Sequence, residues 1–340
     1  MNKQLNVLVV SGSYPPDICG VGDYVGKLFT TLQSQGGIVF SLYHSRNWKL
    51  KSLFRHIKNI RSAKADIIHM QYPTEGYGYS MLPQLIALLF RRRTILTLHE
   101  LSNRNPFGKL ATILFLFISR KIIFTIEEEQ AYAAKICPWI RKKSEVINIG
   151  SNIPCVNAGV EKRFEIVYFG HIRPVKGIEK VIEQAAKAKE QHLPWRFLIV
   201  GQTLSRFEDY YQQLRAGAKD LNITWVTNVD DQEVSILLQS SATAYFPYPD
   251  GVSLRRGTFF AALVNGTPII TTKGDKTPLK FEELCYLVDN DTEVIPAIMD
   301  ILSGSETSLS KLDRSSVYAK QFDWVHIAEQ HIRVFKAFKK

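Results

Sequence analysis

"SNIPCVNAGVEKRFEIVYFGHIRPVKGIEKVIEQ", residues 151–184, decides how the chain is divided. Its first thirteen residues follow neither a helical nor a strand period and read as a linker. "FEIVYFGH" (164–171) then has the apolar run of a buried strand, and Gly170 begins a loop. From Gly177 the apolar residues recur at helical spacing. A strand, a loop and a helix therefore start afresh in mid-chain. Before the linker the same alternation runs through "NVLVVSG" (6–12), "GIVFSLYH" (37–44), "ADIIHMQY" (65–72), "RTILTLHE" (93–100), "KIIFTI" (121–126) and "SEVINIG" (144–150). After it come "WRFLIVG" (195–201), "ITWVTN" (223–228), "ATAYFPY" (242–248), "TPIITT" (267–272) and "LCYLV" (284–288).

Repeated βαβ alternation on both sides of a linker implies two parallel-sheet domains. The expected fold is α/β with two Rossmann-like domains facing across a cleft. The first spans 1–155 and the second 156–322. An amphipathic helix over 323–340 is expected to pack back on the first. A length of 340 residues suits two cores better than one.

Cys19, Cys137, Cys155 and Cys285 form no C-x-x-C pair, which argues against a zinc site or a disulfide framework. The spacing fits a reducing cytoplasm, and "MNKQLNVLVVSGSYPP" has no signal-peptide pattern. The net charge of +11 is lopsided: residues 1–155 hold 20 Lys+Arg against 9 Asp+Glu, and residues 156–340 hold 23 against 23. A basic first half suits an anionic partner. "MLPQLIALLF" (81–90) and "LATILFLFI" (110–118) are too short to span a bilayer. Flanked by arginine and lysine, they suit core helices or helices lying on an anionic membrane surface, making the expected location cytoplasmic and peripheral to the membrane. Nucleic acid is not an expected partner, because recognition motifs and interleaved aromatics are missing.

Ligands of open parallel sheets bind at the carboxyl ends of strands. The loop "SGSYPPDICGVGDYV" (11–25) places Gly20 and Gly22 at a helix start, where backbone can approach phosphate. It is not G-x-G-x-x-G, and the chain has no G-x-x-x-x-G-K-[ST], so nicotinamide and P-loop chemistry lose their support. His69 and Gln71 end one strand, and His99 and Glu100 end the next, without metal-ligand spacing. In the second half His171, Arg173 and Lys176 occupy a strand-to-helix loop. "SLRRGT" (253–258) puts Arg255 and Arg256 just before another helix. A helix N-terminus already favours anions, and the guanidiniums reinforce it.

In this order and spacing, "YPPDICGVGDYV", "TLHE", "VINIGSNI", "YFGHIRPVKGIEKVIEQ", "FLIVGQ" and "AALVNGTPIITT" resemble the GT-B glycosyltransferases of the glycosyl transferases group 1 family, GT4. The resemblance extends over almost the whole chain. It implies a retaining, metal-independent enzyme with no cofactor, moving a sugar from a UDP- or GDP-linked donor to a surface-glycan or lipid-linked acceptor. Catalytic roles fall on His99, Asp250 and Lys176. Donor contacts fall on Gly20, Gly22, His171, Arg173, Lys176, Ser253, Arg255, Arg256, Gly257 and Thr258, and acceptor contacts on His69, Gln71 and Glu100. Two departures stand out. His171 occupies the family's usual arginine position, and Ser253 and Ala261 stand where the family has two glutamates. The displaced cation is expected from Arg173 in the same loop, or from Arg255 or Arg256 in the other. The alternative is an inactive GT-B-like module that binds sugar nucleotide without turnover.

Overall fold

The computed structural model describes residues 4–17, 19–156 and 159–339. Residues 157 and 158 of the expected linker, and Lys340 of the expected final helix, lie outside them. In chain order the first elements are β1 (Leu5–Ser11), α1 (Gly20–Ser34), β2 (Ile38–His44), α2 (Leu53–Ser62), β3 (Ile67–Tyr72) and α3 (Leu82–Leu89). β4 (Thr94–Leu98), α4 (Pro106–Ile118), β5 (Lys121–Phe124), α5 (Glu127–Ile136) and β6 (Ser144–Val146) follow. The second series is β7 (Phe164–Phe169), α6 (Ile178–Glu190), β8 (Phe197–Gly201), α7 (Glu208–Gly217), β9 (Ile223–Thr227) and α8 (Asp231–Gln239). It continues with β10 (Ser241–Phe246), α9 (Gly257–Val264), β11 (Ile269–Thr272), β12 (Tyr286–Val288), α10 (Val294–Leu302) and α11 (Glu306–Ala319). α12 (Trp324–Lys339) ends the chain.

Two compact units result, residues 1–150 with 324–340, and residues 151–323. Each has a six-stranded sheet, ordered β2-β1-β3-β4-β5-β6 in the first and β12-β11-β10-β7-β8-β9 in the second. Every strand pairing is parallel. The second order is that of a doubly wound sheet that reverses direction between β7 and β10.

Parallel sheets bury both faces, and successive side chains of a strand point to opposite faces. In the first unit Leu8, Val10, Ile68, Met70, Leu96, Leu98, Ile122 and Phe124 pack with residues of α2, α3 and α4. Their neighbours Val7, Val9, Ile67, Ile95 and Ile123 pack with α1 and α12. The C-terminal helix is thus part of the first unit's core: Val334 and Phe335 are buried there, and Phe335 lies 6.2 Å from Phe40, ring to ring.

The loop after β4 is fixed by a carboxylate that the sequence reading passed over. Glu129, 1% exposed in the first turn of α5, accepts from the backbone N–H of Leu101 at 2.8 Å and of Ser102 at 2.9 Å. It also accepts from the Ser102 hydroxyl at 2.6 Å. Removing the acceptor leaves buried donors unpaired, at about 1–3 kcal/mol for each such group. Glu129→Ala is expected to lower the urea unfolding midpoint by the equivalent of about 3 kcal/mol, and Glu129→Gln, which keeps one acceptor oxygen, by less. Equal midpoints for Glu129→Ala and the parent would show that the clamp carries no stability.

Candidate functional site

In the second unit β7 and β10 lie side by side at the point where strand order reverses, the place where such sheets form a ligand crevice. A cavity of about 310 Å³ opens beside it over the ends of β7, β8 and β9, lined there by Phe169, Gly170, His171, Gly201, Gln202 and Asn228, with Thr258 of α9. Ile153, Val200, Val229 and Val234 give it an apolar wall. Such a mixed lining suits a flat, partly polar ring system. Gln202 and Asn228 were not expected here, although each directly follows a strand, which is the signal that would have found them. Asn228 Nδ2 donates to Thr203 Oγ1 at 2.9 Å, and its Oδ1 accepts from the Thr203 N–H at 3.0 Å, joining the loops after β8 and β9.

The loop after β7 turns sharply into α6. Gly177, the residue before that helix, has φ +77°, and a Cβ there would meet the Pro247 carbonyl oxygen at 2.2 Å. That approach packs the loop after β7 against the loop after β10. It brings Lys176 into the fields of Arg173, Arg256 and Asp250. Burial, then the two guanidiniums, hold the Lys176 ammonium below its ordinary pKa, and Asp250 opposes them. His171, exposed on the cavity rim, is likewise held down by burial and then by Lys176 and Arg173.

Arg255 and Arg256 do not act as a pair. Arg256 lies at the N-cap position of α9 with its guanidinium 4.5 Å over the Tyr248 ring, and Tyr248 reaches Thr258 Oγ1 through its hydroxyl at 2.6 Å. One guanidinium nitrogen donates to Asp250 Oδ1 and lies 3.4 Å from the Gly251 carbonyl oxygen, while Nε is buried with no hydrogen-bond partner. Arg255 is exposed, its N–H donating to Ser253 Oγ at 3.4 Å. Gly257 opens α9 and is exposed. Asp250 is not a free carboxylate, because it pairs with Arg256, although its side chain is 80% exposed. Ala261, in one of the family's glutamate positions, is 1% exposed inside α9.

In the first unit Gly22 packs closely on the loop before it. A Cβ on it would meet the backbone carbon of Ser13 at 3.3 Å, so its lack of a side chain lets α1 pack on the 13–14 loop. Gly20 has open space around it. His69 and Gln71, the expected acceptor contacts, lie in the core of this unit. Both are fully buried, because odd-numbered β3 side chains face α1 and α12. The His69 ring lies 5.1 Å from Phe335 and 5.4 Å from His331.

The buried polar groups satisfy one another. His69 Nε2 is 2.7 Å from Thr97 Oγ1, and Gln71 Nε2 is 3.1 Å from the same ring nitrogen. Gln71 Oε1 accepts from His99 Nε2 at 3.0 Å, which puts the proton on that nitrogen and leaves His99 Nδ1 as a bare lone pair. Nδ1 is buried without a partner. On α12, His331 Nδ1 donates to the Ile327 carbonyl at 2.9 Å, so its Nε2 accepts from the Tyr24 hydroxyl at 3.3 Å. Tyr24 meets the His99 ring edge-on at 4.7 Å. Glu100 follows, half-buried. Among the described residues no three His, Cys, Asp or Glu side chains converge as a metal site.

Burial drives these histidines neutral. His99 is pushed down to about 3, by burial and then by His331, and His331 to about 4 by burial, against the pull of the Ile327 carbonyl. Unfolded histidine titrates near 6.5. As pH falls from about 6.5 towards 4 the unfolded chain gains protons that the folded chain refuses, so stability declines by up to about 1.4 kcal/mol per pH unit for each such group. Above about 6.5 the contribution is flat. Thermal melts from pH 7.5 to 4.5 are expected to show this acid limb, and His331→Gln to flatten it. Parallel curves for parent and variant would contradict the neutral assignment.

No curated protein matches this sequence. Residues 153–283 match the family described as Glycosyl transferases group 1. Solved structures match at low identity over nearly the full length. A glycosyltransferase from Rickettsia africae is 15% identical, covering 99% of each chain with a TM-score of 0.68. Anabaena HepE, solved in complex with UDP and glucose, is 15% identical over 98% of this chain and 100% of its own, with a TM-score of 0.64. Sucrose-phosphate synthase from Thermosynechococcus elongatus is 18% identical over 98% of each chain, at 0.59. The chain has the two-unit GT-B fold of these glycosyltransferase structures, and the match to the glycosyl transferases group 1 family lies within its second unit, over residues 153–283.

Proposed function

We propose that the protein transfers a sugar, with retention and without a metal, from a nucleoside diphosphate donor to a surface-glycan or lipid-linked acceptor. The observation that carries the reading is the packing of the loop after β7 on the loop after β10, Gly177 against Pro247, which sets Lys176 in the fields of Arg173 and Arg256 near a cavity over the ends of β7, β8 and β9. In this reading the apolar wall takes the nucleoside and the three cations take the diphosphate. The bond from the sugar's anomeric carbon to the diphosphate breaks as the acceptor oxygen bonds to that carbon. Negative charge then develops on phosphate oxygens, where fixed cations lower the barrier. Arg256 stands in for the arginine that His171 replaces. The exposed Asp250 holds Arg256 in place until the diphosphate, with more charge, takes it over. The acceptor side falls to the first unit, with His99 presenting a neutral, uncommitted Nδ1.

A second reading, a module that binds sugar nucleotide without turnover, rests on Ser253 and the buried Ala261 in place of two glutamates. Thermal-shift measurements with UDP, GDP, ADP, CMP and NAD test the shared step. One nucleoside diphosphate is expected to stabilise the protein by about 2.7 kcal/mol at one hundred times its Kd. Arg256→Ala and Lys176→Ala should each weaken that binding by about tenfold or more, the worth of a hydrogen bond to a charged group. Asp250→Asn should bind at least as tightly as the parent. No shift with any nucleotide would defeat the donor site. Binding without turnover, with membrane lipid extract as acceptor, would select the inactive module.

A further inference from the structure

The outer surface of the first unit has a feature that donor binding does not use. On α4, Phe107, Leu110, Leu114 and Phe117 are 51%, 60%, 39% and 58% exposed. Their spacing of three, four and three residues places them on one face, opposite the buried Ala111, Thr112, Phe115 and Leu116. Adjacent α3 adds exposed Leu88 and Leu89, and Trp139 lies 5.6 Å from Phe117, ring to ring. A soluble helix ordinarily turns charged residues outward, so a continuous apolar face marks an interaction surface.

The helices on this side, α2 to α4, carry charge of one sign. α2, α3 and α4 contain no aspartate or glutamate. Where α4 ends, a cavity of about 470 Å³ is lined by Arg91, Arg92, Phe117, Ser119, Arg120 and Lys143. These residues lie at the amino ends of β4, β5 and β6, the opposite rim of the sheet from the strand ends where α/β ligands bind. Lys143 donates to the Ser119 carbonyl at 2.8 Å, tying the cavity to the end of α4. Arg91, Arg92, Arg120 and Lys143 form no ion pair among the described residues. The carboxylates at this rim are already taken, Asp66 by Lys339 at 3.4 Å and Glu145 by Lys121. The Ser119 hydroxyl is buried with no hydrogen-bond partner.

We propose that this face docks on an anionic lipid bilayer, with the α4 stripe in the acyl boundary and a lipid phosphate seated among Arg91, Arg92, Arg120 and Lys143. An apolar stripe bordered by cations is what an interfacial helix needs, and anionic headgroups supply the missing negative charge. α4, at 13 residues, is too short to cross a bilayer, and no helix among the described residues is long and apolar enough to do so. The helix therefore lies along the surface. A second copy of the chain fits the face poorly, because a symmetric contact would set this cationic patch against itself. The inference is independent of the donor reading, since it invokes no nucleotide.

Vesicle flotation tests it, using phosphatidylcholine alone and with 30% phosphatidylglycerol (about three parts in ten) at low salt. The full chain is expected to float with the anionic vesicles, and hardly with the neutral ones. Arg91→Gln/Arg92→Gln/Arg120→Gln should weaken partitioning by on the order of 100-fold, each lost cation contributing about fivefold. Leu110→Gln/Leu114→Gln should weaken it by about tenfold or more at unchanged charge. Both variants change exposed side chains only, and thermal melts matching the parent would confirm that they fold. Failure to float with anionic vesicles, or flotation of either folded variant like the parent, would overturn the proposal. So would a dimer in analytical ultracentrifugation that Leu110→Gln/Leu114→Gln dissociates, with no flotation by the parent, because a second copy would then occupy the face.

Discussion

A parallel sheet has to be covered on both faces, and in the first unit part of one cover comes from the last helix of the chain, α12, packed beside α1. Much of that unit follows from this constraint. Strand residues facing α12 include His69, Gln71 and Thr97, which would be costly to bury unpaired. They pair with one another, and the chain of hydrogen bonds assigns the ring protons. His99, at the end of the chain of bonds, is left neutral with one unoccupied nitrogen. A group that looks like surface chemistry in the sequence is therefore built into the core network, and its partners fix which nitrogen carries the proton.

The opposite face of the same sheet is covered by α2 to α5, and there the constraint stops at the inner side of each helix. Ala111, Phe115 and Leu116 fill the core, whereas Leu110, Leu114 and Phe117 add nothing to it. The oily segments thus serve as core and as outer surface at once. Cohesion of the unit does not require the outer residues to be apolar, so their character has to be explained by what the unit meets.

In the second unit the governing feature is the reversal of strand order between β7 and β10. It sets side by side two loops that come from distant parts of the chain. Arg173 and Lys176 arrive from one loop and Arg256 from the other, with Gly177 close against Pro247 between them. The first loop also carries His171 on the cavity rim, and in the second Arg256 is held over the Tyr248 ring.

By itself the sequence determined the two α/β units, most strand positions and the loops that could carry a ligand, because apolar periodicity and strand-end loops are local signals. "FLIVG" and "VKGIEKVIEQ" could hardly have formed anything but a buried strand and a loop-to-helix turn. Tertiary structure alone decided which polar residues are available. His69 and Gln71 are covered by a helix some 260 residues further along the chain, Gly22 packs on Ser13, and Arg255 and Arg256, adjacent in sequence, part company at the start of α9. It also revealed Glu129 as a loop clamp and placed Gln202 and Asn228 at the cavity. The physical reason is common to all of these. Periodicity states which face of an element is apolar, but only the packed neighbour decides whether a polar group on it meets solvent, a ligand or another side chain.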